Sequence, residues 1–234
     1  MSNDFFQFKK FKVCHAKCAM KVGTDAVLLG SWAKGGTNIL DIGTGSGIIA
    51  MMMSQRNPCA KVTGIDISPD AILQAKENVS NSIFCNNIDM QLSDITEFTL
   101  NHKSAFDCIV SNPPYFENSL ECPVEERTYA RHARTLPYSI LLSCAKQLLT
   151  SDGHLYLILP TQSVQHIKAE AAIQELYFHQ QCDIKTTERK IAKRTLLDLS
   201  SLPTTSCVKT TQILIKEGKR SEWFSNLTKE FYLN

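Results

Sequence analysis

No apolar run in this chain approaches the roughly 20 residues that a membrane span needs. The opening MSNDFFQFKKFK also lacks the apolar segment of a secretory signal, so a cytoplasmic protein is expected. Internal repeats and low-complexity segments are missing too, which excludes solenoids and flexible linker arrays. The nine cysteines stand at 14, 18, 59, 85, 108, 122, 144, 182 and 207, with no pair at the spacing of a zinc knuckle or a thioredoxin-like motif. Cys14, His15 and Cys18 lie close together, but no second ligand pair follows, so reduced thiols and no metal are expected. A net charge of +2 is too small to announce a nucleic-acid partner by itself. What remains, with 43% apolar and 21% charged residues over 234 positions, fits one globular domain with a sizeable core and no obligate protein partner.

From residue 38 the pattern is regular. Apolar, β-rich runs at Asn38 to Ile42, Lys61 to Ile67, Ile88 to Ser93, Phe106 to Ser111 and His154 to Leu159 each end in a polar or glycine turn. Between them, Ile48 to Arg56, Pro69 to Ser80 and Tyr138 to Thr150 read as helices, with Ser68 as a cap and Pro69 in the first turn. Such alternation predicts an α/β, Rossmann-like, doubly wound and mainly parallel sheet. A further helix is expected over Val164 to Leu176. Two β-like stretches, Tyr177 to Thr186 and Cys207 to Lys216, suggest an antiparallel edge hairpin, and the basic, Ser/Thr-rich piece from Thr187 to Thr205 between them reads as a loop.

Two segments fit no simple scaffold role. Residues 113 to 136 make a connection far longer than usual, as functional loops often are. Ahead of the first core strand, Met20 to Ala33 suits a helix capped by Thr24 or Asp25 and placed over a ligand site, within an N-terminal segment of residues 1 to 35.

The sequence Asp41-Ile42-Gly43-Thr44-Gly45-Ser46-Gly47 follows a strand and opens a helix, so its glycines can turn tightly and admit a ligand to the backbone. Asp66, about 20 residues on, ends the next strand, and Asp94 ends the third. Three carboxylates at carboxyl ends of parallel strands suit a nucleoside, with Ile67 and Ile95 placed to sandwich its ring. The loop alone also admits a nicotinamide cofactor. Ser111-Asn112-Pro113-Pro114-Tyr115 narrows the chemistry. An adenine amine is a poor nucleophile because its lone pair is delocalised into the ring. The Asn112 side-chain oxygen and the Pro113 carbonyl can accept its N–H bonds while Pro113 and Pro114 restrict the backbone. Tyr115 can stack on a base that has left its helix. The same groups can hold a glutamine carboxamide.

Positive charge gathers in three groups: Lys9 and Lys10 with Lys12, Lys17 and Lys21; Arg127, Arg131 and Arg134 with His132; and Arg189, Lys190, Lys193 and Arg194. Together they point to phosphate contacts.

The order DIGTGSG, GIDIS, Asp94 and SNPPY resembles the class I methyltransferases that modify amino groups of adenine, guanine or glutamine. The opening FQFKKFKVCHAKCAMKVGTDAVLLGSWA, with SNPPYF, ARHARTL and the terminal KEFYLN, is similar more narrowly to the bacterial tRNA1(Val) adenine N6-methyltransferase family. That resemblance implies a seven-stranded sheet with an antiparallel last strand, S-adenosyl-L-methionine as cofactor, and tRNA as partner through the adenine beside the anticodon. It implies that Lys21, Thr24 and Asp25 lie near the methionine part of the cofactor and that Gly43, Gly45 and Gly47 form the cofactor loop. It places Asp66 on the ribose, Asp94 on the cofactor adenine, and Asn112 to Tyr115 at the target base, with Asn112 also bordering the cofactor. Competing readings are another RNA or DNA base, protein glutamine, or a non-catalytic nucleic-acid-binding protein.

Overall fold

The computed structural model describes residues 4–18, 21–114 and 136–233. Strands β1 (Phe5–Gln7) and β2 (Lys12–Cys14) pair antiparallel as a separate hairpin. After α1 (Thr24–Trp32) the chain alternates through β3 (Asn38–Ile42), α2 (Ile48–Arg56), β4 (Lys61–Asp66), α3 (Pro69–Ser80), β5 (Ile88–Leu92), α4 (Ile95–Asn101) and β6 (Phe106–Ser111). It continues with α5 (Tyr138–Leu148), β7 (Leu149–Pro160), α6 (Val164–Ile173), β8 (Tyr177–Thr187), β9 (Arg194–Ser200), β10 (Val208–Lys216), β11 (Lys219–Arg220) and α7 (Glu222–Thr228). No helix among the described residues is long and apolar enough to cross a membrane.

The main sheet runs β11-β10-β8-β9-β7-β6-β3-β4-β5. Strand order departs in opposite directions on either side of the β3–β6 pair, and at such a reversal the loops after the two strands diverge and leave a crevice at their carboxyl ends. The glycine loop after β3 and Asn112-Pro113-Pro114 after β6 therefore flank one opening. Successive side chains of a strand point to opposite faces. Accordingly Ile39 joins the core under α1 and α2, while Leu40 joins the core under α4, α5 and α6. Both faces are covered, which explains why these strands read as near-continuous apolar runs.

The seven strands from β8 to β5 match the seven implied by resemblance, and the last of them in the chain, β9, is antiparallel to both neighbours. Strands β10 and β11 extend the sheet by two. The loop expected over Thr187 to Thr205 contains β9, whose residues Thr195 to Ser200 are all buried between β7 and β8. Flanking basic residues and Pro203 hid a short run, Leu196-Leu197-Asp198-Leu199, that is fully enclosed. For the same reason β8 and β10 do not form the expected antiparallel hairpin. They are parallel neighbours, with Val208 opposite Gln180.

Ser68 caps α3 as expected, its Oγ accepting from the Ala71 N–H at 3.3 Å. Helix α1 differs, because its cap is Gly23 with no side-chain hydrogen bond. Helix α1 packs closely on α2: a Cβ built on Gly30 would lie 2.9 Å from the Met52 sulfur.

Candidate cofactor and acceptor site

Gly43, Gly45 and Gly47 all adopt left-handed backbone, with φ of 71°, 54° and 79°, a region that costs other residues energy. A Cβ at Gly43 or Gly45 would meet nothing within 4 Å, so space above the loop is open. At Gly47 it would approach the Met90 methyl at 3.1 Å. The first two glycines therefore keep a cradle clear for a ligand, and the third packs.

The loop's own N–H groups are largely consumed. Those of Gly43 and Thr44 donate to the Ile65 carbonyl at 2.9 and 3.0 Å, and that of Gly47 to the Thr44 carbonyl at 2.9 Å. The Gly45 N–H donates to Asp66 Oδ2 at 3.0 Å. A loop that spends these donors internally is a floor for a ligand rather than a nest for a pyrophosphate, which counts against the nicotinamide reading.

Asp66 stands at the end of β4, half-buried, its other oxygen accepting from the Ser68 N–H at 2.9 Å. Carboxylate oxygens each have a second lone pair, so Asp66 is held rigidly yet can still accept from ribose hydroxyls. Ile67 beside it is 51% exposed and can serve as a platform for a purine ring. The opposing wall expected at Ile95 is absent, because that side chain is 4% exposed and packs into the core under α4. Asp94 is exposed and caps α4, with Oδ1 accepting from the Thr96 N–H at 2.7 Å. Its place at the carboxyl end of the sheet is the expected one.

Asp41 does not reach the crevice as the sequence suggested. It is fully buried, and its Oδ2 accepts from the Thr44 hydroxyl at 2.7 Å and from the Ala50 N–H at 3.2 Å, pinning the loop to the start of α2. Burial pushes its carboxyl up to about 7; the bonds from Thr44 and Ala50 oppose the rise and the Asp66 charge adds to it. Folding then retains a proton that the unfolded chain, with an ordinary value of 3.8, releases. Stability from this group is present in full below about pH 4, is lost as pH rises to about 7, and is flat above. Urea unfolding of the cofactor-free protein should follow that slope, and Asp41→Asn should remove it. An unchanged slope would contradict the assignment.

The acceptor side is fixed through Ser111, whose buried hydroxyl donates to the Ile42 carbonyl at 2.8 Å and ties the end of β6 to the end of β3. Asn112 is then half-buried, Pro113 buried and Pro114 exposed. Tyr115, Arg127, Arg131, Arg134 and nearly all of the long connection lie outside the described residues.

Lys21 and Thr24 are exposed ahead of α1 and at its start. Asp25 pairs with Arg194, Oδ2 to Nε 2.7 Å, so these two residues, separated by 169 positions, join α1 to the start of β9. This ties down one cation assigned to phosphate. Lys9 is likewise engaged: its ammonium donates to the Lys229 carbonyl at 2.7 Å and its N–H to the Phe231 carbonyl at 2.8 Å. Lys10, Lys190 and Lys193 are exposed. Among the described residues no group of three metal-ligating side chains forms.

One participant had no signal in the sequence. Asn78 of α3 bonds both β2 and the glycine loop, a contact across 64 positions on one side and 32 on the other that local pattern cannot reveal.

A central parallel sheet with a glycine turn after its first strand, a carboxylate after its second and an asparagine with two prolines after its fourth defines a methyltransferase of the Rossmann-like class. A methyltransferase-domain family model matches residues 33–218. The chain also resembles the crystal structure of a predicted O-methyltransferase from Agrobacterium tumefaciens, with a TM-score of 0.68 and 21% identity over 88% of this chain and 96% of that one, a likeness of fold. Two curated relatives match nearly end to end. The tRNA1(Val) (adenine(37)-N6)-methyltransferase of Mannheimia succiniciproducens is 40% identical over 98% of this chain and 94% of its own length. That of Bacteroides thetaiotaomicron is 42% identical over 100% and 99%. The chain belongs to the family of the tRNA1(Val) (adenine(37)-N6)-methyltransferases.

Proposed function

We propose that the protein transfers a methyl group from S-adenosylmethionine to the N6 amine of adenine 37 of tRNA1(Val). The observation that carries this reading is the placement of Asn112-Pro113-Pro114 across the switch-point crevice from the glycine loop and Asp66, in a chain whose full-length relatives are named for that reaction. The cofactor supplies an electrophilic methyl on a sulfonium. Gly43 and Gly45 leave room for it, Asp66 accepts from its ribose, and Ile67 bears on its purine ring.

The protein's task at the acceptor is to make a planar amine nucleophilic. The Asn112 Oδ1 and the Pro113 carbonyl accept the two N6 hydrogens and draw the nitrogen towards tetrahedral geometry, so its lone pair turns out of the ring system. With the cofactor bound, the N6 lone pair would take the methyl as S-adenosylhomocysteine leaves as a neutral thioether, and the surplus N6 proton would pass to water at the open end of the crevice. A base can take this position only after leaving its stack, and the open end of the sheet admits it. The locked φ angles of Pro113 and Pro114 limit backbone movement during transfer.

Topology supports an RNA path as well. Strand β8 runs parallel to β7, so the β8–β9 turn with Lys190 and Lys193 lies at the same end of the sheet as Asn112. Across the sheet it is two to three strand steps away, roughly 10–15 Å, and it projects beyond the level of Asn112 by three residues or more, roughly 10 Å at Lys193 and further at Lys190, a reach suited to phosphates flanking a flipped base. The Lys193 carbonyl, accepting from the Thr161 N–H at 3.2 Å, fastens that turn to the end of β7. Replacing Lys190 and Lys193 together by alanine should weaken tRNA binding and flatten the dependence of log affinity on log salt by about one unit per lost contact. A slope equal to that of the wild type would remove these residues from the interface.

A further inference from the structure

The amide of Asn78, 3% exposed near the end of α3, makes three hydrogen bonds. Its Oδ1 accepts from the Cys14 N–H at 2.9 Å and its Nδ2 donates to the Cys14 carbonyl at 2.8 Å. The same Nδ2 donates to the Ser46 carbonyl of the glycine loop at 2.8 Å. Exchanging the amide oxygen and nitrogen would set oxygen against two carbonyls, so the orientation is determined by its partners. Towards β2 the side chain behaves as a neighbouring strand would, and towards the loop it is a tether.

The rest of α3 follows the same segment. Gln74 accepts from the Lys17 N–H at 3.3 Å, and the Lys17 ammonium pairs with Glu77. The Cys18 thiol, half-buried, is pushed up to about 11 by burial and by the charge of Asp66. Residues 14–18 thus run along α3 to the neighbourhood of the ribose carboxylate. The far end of the hairpin is held separately, by the Lys9 N–H on the Phe231 carbonyl.

We propose that Asn78 is a positioning residue that couples the β1–β2 hairpin to the glycine loop, so that cofactor binding and ordering of the hairpin stabilise each other. This rests on reading the glycine loop as the cofactor floor. Reciprocity follows from linkage: whatever cofactor gains from an ordered hairpin, the hairpin gains from bound cofactor.

The test uses the full chain, with S-adenosylhomocysteine as the probe, titration calorimetry for affinity and hydrogen exchange for the hairpin. In the wild type, ligand should slow exchange at Val13 and Cys14 as well as in the loop. Asn78→Ala should weaken binding about tenfold, the usual scale for loss of buried hydrogen bonds, and exchange of its hairpin should no longer respond to ligand. Asn78→Ser serves the same comparison if the alanine variant does not fold. Glu77→Gln, which removes the charge from the Lys17 pair while leaving an amide oxygen to accept from Gln74 Nε2, should bind as the wild type does. A lower melting temperature alone would accompany any structural role, so wild-type affinity in Asn78→Ala, or a hairpin that still responds to ligand, overturns the coupling. A wild-type protein that does not bind the probe overturns the cofactor reading and the coupling with it.

Discussion

Asn112→Ala should abolish most turnover while leaving cofactor affinity within about twofold of wild type. The expected fall in kcat is on the order of 10²–10³, the scale seen when one preorganised polar group is removed from a reacting centre. The reason lies in where Asn112 sits. It follows β6, whose end is fastened to β3 by the Ser111 bond to Ile42, so its backbone is held at the crevice by two central strands. Its proposed work is to accept an N6 hydrogen, an interaction that strengthens only as nitrogen becomes tetrahedral. Loss of an interaction made chiefly in the transition state lowers kcat and kcat/KM alike. Asn112→Asp keeps an acceptor oxygen and should retain more activity than the alanine variant. An equal loss of cofactor binding would place Asn112 in the cofactor site instead.

Asp66→Ala should show the opposite division, with cofactor affinity falling about 10- to 100-fold, the scale of hydrogen bonds to a charged group. Two effects add. The carboxylate is the proposed partner of the ribose hydroxyls, and it also holds the Gly45 and Ser68 N–H groups, which otherwise lose their acceptor. Asp66→Asn separates them, because an amide can still take one of those N–H bonds without the charge. Titration with S-adenosylhomocysteine reads both variants, and unaltered affinity in Asp66→Ala would contradict the site.

The parts of the fold that local chemistry determines were legible in the sequence. The bounds read from pattern for β3, α2, α3 and β6 coincide with those observed, because each is an apolar or amphipathic stretch bounded by glycine, serine, asparagine or proline. What escaped was set by partners distant in the chain. Strand β9 is a strand because β7 and β8 enclose it, and its flanks argued for a loop. Asp25 looked like a cap, but Arg194 competes for its carboxylate. Asp41 looked like one of three ligand-facing acids, yet it alone lies within the strand rather than at or after its end, so the loop folds over it. Asn78, in a helix that reads as ordinary, became visible only when the hairpin and the glycine loop met across it.

The central claim concerns one atom of one nucleotide, and the most direct measurement is mass spectrometry of nuclease fragments from unmodified tRNA1(Val) incubated with the protein and S-adenosylmethionine. One added methyl should appear on the fragment containing adenine 37, and complete digestion should yield N6-methyladenosine. A methyl on another nucleotide, or an RNA left unmethylated by protein that binds the cofactor, would contradict the account.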